Sequence, residues 1–466
     1  MSAPGSTERP WIGRRLHFVG AGGAGMSGLA LIARSLGAEV SGCDRSRSVY
    51  TEMLSGQGVE VEPDHAVAHA VAGTEMVVSS AIADDLEELK GARELGLELR
   101  HRSELLAQAA SLRDVIAVSG THGKTTTAAM IAHCLEMLAM DPGFAIGADL
   151  RGADGELRPN AAWGTGQWMV VEADESDRSF LRLDPRIAVV TNVELDHHTT
   201  YASEPELEAA FVEFAQHARA TGDVVAWERV ATRLGGSTTT FGFGESADLR
   251  AVDVRRQQGS TSFDLVRSGK SVARVALPVV GAHNVLNALA ALGALEAAGC
   301  TLSRAAGTLE SFRPVGRRFE LAGESDGARV FDDYAHHPTE VRATLEAARE
   351  LGPERLIAVF QPHLYSRTKY LHRAFGSALA VADEIVVLDV YPARELPEGD
   401  LAGVTGKLVA DAAADAAPGR PVWWLPTLAE AEHMVRLRLR PGTTVVTLGA
   451  GDVNELAAQL VGGARP

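Results

Sequence analysis

The chain has 466 residues, room for about three domains of ordinary size, and its 46% apolar and 23% charged content is that of a globular protein. A formal charge of −17 excludes a nonspecific nucleic-acid binder, which needs a basic surface, but not a phosphorylated small molecule held by local Lys and Arg. No uninterrupted apolar run is long enough for a membrane span, and residues 1–10 lack the apolar centre of a signal peptide, so a cytoplasmic protein is expected.

The three cysteines, Cys43, Cys134 and Cys300, lie far apart, fit no metal spacing and suit a reducing compartment. In chain order, Leu16 to Val19 reads as a strand, and the glycine loop Gly20, Gly22, Gly23 and Gly25 follows it. A helix from about Met26 to Leu36 and a second strand ending at Asp44 complete the unit. This strand–glycine–helix–strand–acid order places a diphosphate on a helix N-terminus, with Asp44 accepting hydrogen bonds from a ribose. NAD and a UDP-sugar present the same diphosphate, so an NAD(P)-dependent oxidoreductase is one reading of this loop. Met76 to Ser80 reads as a later strand of the same sheet.

Val115 to Val118 is a buried strand, followed by Ser119, Gly120, Thr121, His122, Gly123, Lys124, Thr125 and Thr126. A helix with Ile131, Cys134, Leu135 and Leu138 on one face is expected from Ala128 to Met140. Strand, glycine turn and helix form a phosphate loop, with Lys124 reaching terminal phosphates and the Thr125 hydroxyl ligating Mg²⁺. The loop is a shortened variant, because Val118 stands where the usual first glycine would be. Trp168 to Val171 runs into the acids Glu172, Asp174, Glu175 and Asp177, and Ile187 to Val190 runs into Glu194, Asp196, His197 and His198. Ligands of open α/β sheets bind at the carboxyl ends of strands, which brings Glu172 and His197 toward Thr125 around one Mg²⁺. The acids read equally as a solvated turn, and the two histidines as surface groups or zinc ligands. Residues 245–280 alternate as hairpins turning at Ser268 and Gly269. Asn284, in the first turn of an alanine-rich helix, either contacts an adenine edge or caps the helix.

Beyond residue 315 come Arg317 and Arg318, then a strand ending in Asp333, Tyr334, Ala335, His336 and His337. The strand Leu356 to Phe360 leads to Arg367, and Glu384 to Val390 and Thr444 to Leu448 are further strands. Arg367 reads as holding a substrate carboxylate or as forming a surface ion pair. The expected fold is α/β in three domains: a Rossmann-like domain over 1–110, a P-loop ATPase-type domain over 111–314, and a Rossmann-like domain over 315–466.

Five motifs occur in one order: Gly-Thr-His-Gly-Lys-Thr-Thr at 120–126, Glu-Ala-Asp-Glu-Ser-Asp at 172–177, His-Asn-Val-Leu-Asn-Ala at 283–288, Gly-Arg-Arg-Phe at 316–319 and Asp-Tyr-Ala-His-His-Pro at 333–338. Together they resemble the Mur ligases of peptidoglycan synthesis over nearly the whole chain. The stretch 20–30 is similar to the alanine-adding branch, and the absence of lysine from residues 198–226 fits that branch. Some members carry Arg at the place of Leu364, so that contact is not expected here.

The resemblance implies a ligase using ATP and Mg²⁺ to join L-alanine to UDP-N-acetylmuramate, acting as a monomer or homodimer. It implies the sugar in the first domain, with Gly20, Gly22, Gly23, Gly25, Asp44 and Ser79. It implies ATP on Gly120, Thr121, His122, Gly123, Lys124, Thr125, Thr126, Asn284 and Arg317, and the metal on Thr125, Glu172 and His197. Arg317, His336 and Arg367 are expected where carboxylate, phosphate and alanine meet, with Arg318 on the sugar substrate. His336 is the candidate base, since an imidazole titrates near neutrality. A non-enzyme reading, an ATP-switched binding module, predicts nucleotide binding without turnover stimulated by an amino acid.

Overall fold

A computed structural model describes residues 9–152, 156–197, 200–257, 259–393 and 395–462. The expectation on His198 lies outside the described residues, as does most of residues 1–10. Three large sheets carry the molecule.

The first sheet is all parallel, in the spatial order Glu60–Glu62, Glu39–Cys43, Arg15–Val19, Glu75–Val78, Leu99–His101. The order reverses beside Arg15–Val19, and the loop leaving that strand is the glycine loop. This is the switch point at which doubly wound sheets hold dinucleotides.

The second sheet has ten strands. Asp114–Ser119 lies at its centre between Trp168–Glu172 and Ile187–Val190, parallel to both. Burial on both faces explains why these strands read as unbroken β-branched runs. The far edge is the antiparallel meander Leu249–Gln257, Ser260–Arg267, Lys270–Leu277, with the turn at Ser268 and Gly269 both at positive φ. The helix Lys124–Met137 starts four residues earlier than expected, because the phosphate-loop residues Lys124 to Thr127 form its first turn. It does not bury one face only: Thr125 to Ala132, Cys134 and Leu135 are all buried. The sheet flanks it on one side and the helix Ala282–Ala297 on the other, so amphipathic periodicity understates its burial.

The third sheet orders Glu320–Ser325, Ala328–Asp333, Thr443–Leu448, Arg355–Phe360, Glu384–Val387 and Val422–Trp424. Its pairs are parallel except the first. Contacts tie the three layers together. Asn160 Nδ2 donates to the Ala24 carbonyl at 2.7 Å, docking the first helix on the second sheet's edge. Arg367 and His122 make the links between the second and third sheets described below.

Candidate active site

The carboxyl ends of the central strands open into one cavity of about 1360 Å³. Its walls include Gly23, Gly25 and Ser79 from the first sheet, Thr121 to Thr125, Glu172 and His197 from the second, and Arg317, Arg318 and His336 from the third. Chain segments that sequence reading could relate only by analogy therefore share one wall.

The phosphate loop is fixed by groups from the next strand end. Gly120 has φ +134°, and a Cβ there would stand 2.1 Å from Thr191 Oγ1. Asn192 clasps His122 at both ends: its Oδ1 accepts from His122 N at 2.9 Å and its Nδ2 donates to His122 O at 3.0 Å. The Thr121 hydroxyl donates to the Glu194 carbonyl at 2.9 Å. Thr126 is buried in the helix's first turn. Lys124 Nζ donates to the Gly120 carbonyl at 2.7 Å and to Glu175 Oε2 at 2.9 Å. Burial pushes the Glu175 carboxyl up to about 7, against the pull of the adjacent Lys124. For Lys124, burial lowers the pKa, and the Glu175, Asp174 and Glu172 charges outweigh it to give a net rise.

Thr125 Oγ1 donates to Glu172 Oε2 at 3.2 Å, and Gly147 N donates to Glu172 Oε1 at 2.8 Å. Burial raises the Glu172 carboxyl, the mark of an acid with too little positive charge around it. Two oxygen donors side by side, one of them such an acid, fit a divalent cation. His197 Nε2 lies 3.8 Å from Asp196 Oδ2 and 3.9 Å from Glu175 Oε1, at the rim of the same acid group. Burial lowers its pKa, which keeps it neutral and able to ligate.

In the first sheet, Asp44 braces the glycine loop from behind. Its Oδ2 accepts from Gly22 N at 2.8 Å and its Oδ1 from Ser46 N at 2.9 Å. Gly20 has φ +78° and packs on Ile82. Arg102 Nη2 reaches Asp174 Oδ2 at 3.5 Å, a link between the first and second sheets that the sequence did not reveal.

From the third sheet, Arg318 Nη2 donates to Thr125 Oγ1 at 3.4 Å, and its guanidinium stacks 5.0 Å over Tyr334. Arg317 turns the other way, onto Asp332 at 3.1 Å and the Gly449 carbonyl at 2.8 Å.

Three expected site residues have partners within the chain. Arg367 is 3% exposed and bidentate to Asp196, both contacts 3.0 Å, a buried ion pair rather than a surface one. Burial alone would raise the Asp196 carboxyl, but Arg367 holds it far below the usual range. Asn284 donates its amide to the Val280 carbonyl at 2.8 Å and accepts at Oδ1 from Asn287 Nδ2 at 3.2 Å, bonds at the helix start that go with the capping alternative. His336 does not titrate near neutrality, because burial pushes it down to about 3. Its Nδ1 lies 2.9 Å from the Tyr334 carbonyl, which can only accept, so Nδ1 carries the proton and Nε2 the lone pair. Glu175, Asp196, Asn192 and Glu340 complete the site; which acid meets which base is a long-range pairing with no local sequence signal.

Comparison with known proteins agrees along the whole chain. Three family models match: the Mur ligase family catalytic domain over residues 15–114, the Mur ligase middle domain over 118–295 and the Mur ligase glutamate ligase domain over 317–451. UDP-N-acetylmuramate–L-alanine ligase of Acidithiobacillus ferrooxidans is 42% identical over 463 residues, 97% of this chain and 98% of that one. That of Streptomyces avermitilis is 42% identical over 469 residues, 98% of each chain. The crystal structure of UDP-N-acetylmuramate-alanine ligase from Thermotoga maritima superposes with a TM-score of 0.81 at 30% identity, covering 96% of this chain and 98% of that one. With all three sheets matched in order and nearly the full length aligned, the chain belongs to the Mur ligase family.

Proposed function

We propose that this chain is an ATP-dependent ligase that joins L-alanine to the carboxylate of UDP-N-acetylmuramate, releasing ADP and phosphate, in peptidoglycan precursor synthesis. The observation that carries the reading is the single cavity of about 1360 Å³ onto which the glycine loop, the phosphate loop and Arg318 all open. The full-length likeness to alanine-adding relatives selects the substrates. An oxidoreductase reading accounts for the first loop alone and leaves the phosphate loop and its cations without a task.

A carboxylate is a poor electrophile, and phosphorylation gives it a leaving group. Its oxygen attacks the γ-phosphorus, ADP departs, and an acyl phosphate remains. The alanine amine, its ammonium proton given up to solvent, then adds to the carbonyl, and the tetrahedral intermediate expels phosphate, the remaining amine proton passing to the released phosphate or solvent. Lys124 leaves Glu175 for the terminal phosphates, and Arg318 neutralises charge on the phosphoryl oxygens as they transfer. Thr125 and Glu172, with His197, are the residues that would hold Mg²⁺, whose charge supports the same phosphoryl group. A group with a pKa of about 3 is a weak base, so His336 Nε2 is assigned to accept a hydrogen bond from the amine rather than its proton. Arg367 would serve the alanine carboxylate only on leaving Asp196.

Among the described residues no helix is long and apolar enough to cross a membrane, and the described cysteines are free thiols; a cytoplasmic enzyme, monomer or homodimer, is the setting proposed with this reading. The test is phosphate release with UDP-N-acetylmuramate, ATP and each common amino acid in turn, with heavy oxygen in the muramate carboxylate. L-Alanine should give the largest stimulation, and one labelled oxygen should appear in the released phosphate. AMP and pyrophosphate as products, or unlabelled phosphate, would defeat the acyl-phosphate route.

A further inference from the structure

Away from the cavity, four elements of the first sheet converge on one buried carboxylate. Glu88, on the helix Glu87–Glu94, is fully buried. Around it stand His17 from the strand Arg15–Val19, Cys43 from the end of Glu39–Cys43, and His65 and His69 from the segment that follows Glu60–Glu62. His17 Nε2, His69 Nδ1 and His65 Nδ1 lie 3.2, 3.0 and 3.3 Å from Glu88 oxygens. Cys43 Sγ lies 3.3 Å from Glu88 Oε2 and 3.0 Å from His65 Nδ1. The ligand atoms of His17, Cys43, His69 and Glu88 all fall within 4.8 Å of one another.

We propose that His17, Cys43, His69 and Glu88 form a structural zinc site in the sugar-binding domain. Tetrahedral zinc with nitrogen, oxygen and sulfur ligands at about 2.0–2.3 Å sets its ligand atoms roughly 3.3–3.7 Å apart, the scale of this cluster. Thiolate, imidazole and carboxylate together suit zinc rather than magnesium.

Two features separate the site from a plain hydrogen-bond network. His17 Nδ1 lies 2.9 Å from the Ser41 hydroxyl, its neighbour in the parallel register, which fixes the ring with Nε2 toward Glu88. Nε2 itself is buried and faces Glu88 Oε1 at 3.2 Å, with no well-aligned hydrogen bond. A nitrogen aimed into a cluster while the ring's other nitrogen is held by an outer hydrogen bond is the arrangement of a metal-ligating histidine. His65 stands outside the four as a hydrogen-bonding partner of Cys43 and Glu88.

The site has a structural consequence. The Cys43 carbonyl accepts from Gly20 N at 2.9 Å and Ala21 N at 3.0 Å, and the next residue, Asp44, holds Gly22 N. Zinc on the Cys43 sulfur would therefore anchor the strand end from which the whole glycine loop hangs.

The full chain, produced with zinc present and purified without chelator, should carry about one zinc by elemental analysis. Cobalt titration of the metal-free chain should give a thiolate-to-cobalt charge-transfer band, and Cys43→Ser should abolish it. Cys134 and Cys300 have other surroundings, Sγ of the first 4.0 Å from the Ala305 carbonyl and of the second 3.6 Å from Met140 Sδ, so the band reports on Cys43. His69→Gln, which spares the thiol, should weaken zinc at least about tenfold in competition with a chelating dye. A wild-type chain with neither metal nor band overturns the proposal and leaves a hydrogen-bond network around Glu88. A band surviving Cys43→Ser, or zinc affinity unchanged by His69→Gln, overturns it as well.

Discussion

Lys124, half-buried, and Arg367, buried, each form an ion pair with a carboxylate, yet the two pairs have different fates. Lys124 faces Glu175, whose carboxyl is pushed up to about 7, so this acid yields its charge readily when phosphates arrive to replace it. Lys124→Ala should abolish turnover while calorimetry shows UDP-sugar binding nearly unchanged, because the glycine loop proposed to hold the sugar belongs to another sheet. Equal loss of both would separate the phosphate loop from the assigned chemistry. Arg367 faces Asp196, which stays ionised far below the usual range, so this pair holds. Arg367→Ala would strand a buried carboxylate, a loss of about 3–5 kcal/mol in stability. Thermal unfolding should show that loss, with partial recovery in the Arg367→Ala/Asp196→Ala double variant. A higher alanine KM without any loss of stability would return Arg367 to the substrate.

At the scale of elements, legibility followed burial. The strand Ile187–Val190 was readable to the residue, because a parallel strand covered on both faces has no reason to alternate. The helix Lys124–Met137 was readable in existence but not in extent, since glycine, lysine and threonine at its start look like loop. Its entry turns on Gly123, which has φ +80° and whose missing Cβ would stand 2.4 Å from Asn287 Oδ1. Gly123→Ala should therefore combine a backbone cost of about 1–2 kcal/mol with a clash. Denaturant unfolding should show the lowered stability, and ATP affinity should fall with it. Asn287→Ala in the same chain should restore part of the stability by making room; no restoration would mean the cost lies in φ alone. The pairing of Asp196 with Arg367, 171 positions apart, had no such local signal, and neither did Cys43 with Glu88, 45 apart. Spacing rules look along the chain, whereas these sites are assembled across strand ends.

On the scale of the whole molecule, the second and third sheets are joined through a histidine cluster. His122 of the phosphate loop lies 3.3 Å from Glu340 Oε1 and 3.5 Å from Glu194 Oε2, with the His337 ring 4.5 Å away centre to centre. Thr339 adds a 2.5 Å hydrogen bond to Glu194. Burial lowers the His122 pKa, but Glu340 and Glu194 outweigh it and raise the value from 6.5 to about 9. The folded chain thus holds this proton more tightly than the unfolded one. The stability it contributes is fully present below pH 6.5 and is lost as pH rises through about 9. His337 and His283 run the other way: burial lowers both to about 4, and His336 to about 3. The unfolded chain binds those protons first, so stability falls as pH drops below 6.5 toward these values. His122 thus contributes an alkaline limb to the melting temperature and the three neutral rings an acid limb, the latter opposed by Glu175 and Asp333, whose carboxyls burial raises to about 7. His122→Gln removes one titration and leaves the others, so calorimetry should show the alkaline limb flattened and the acid limb kept. An alkaline limb unchanged by that substitution would place the proton elsewhere and release the phosphate loop from its link to the third sheet.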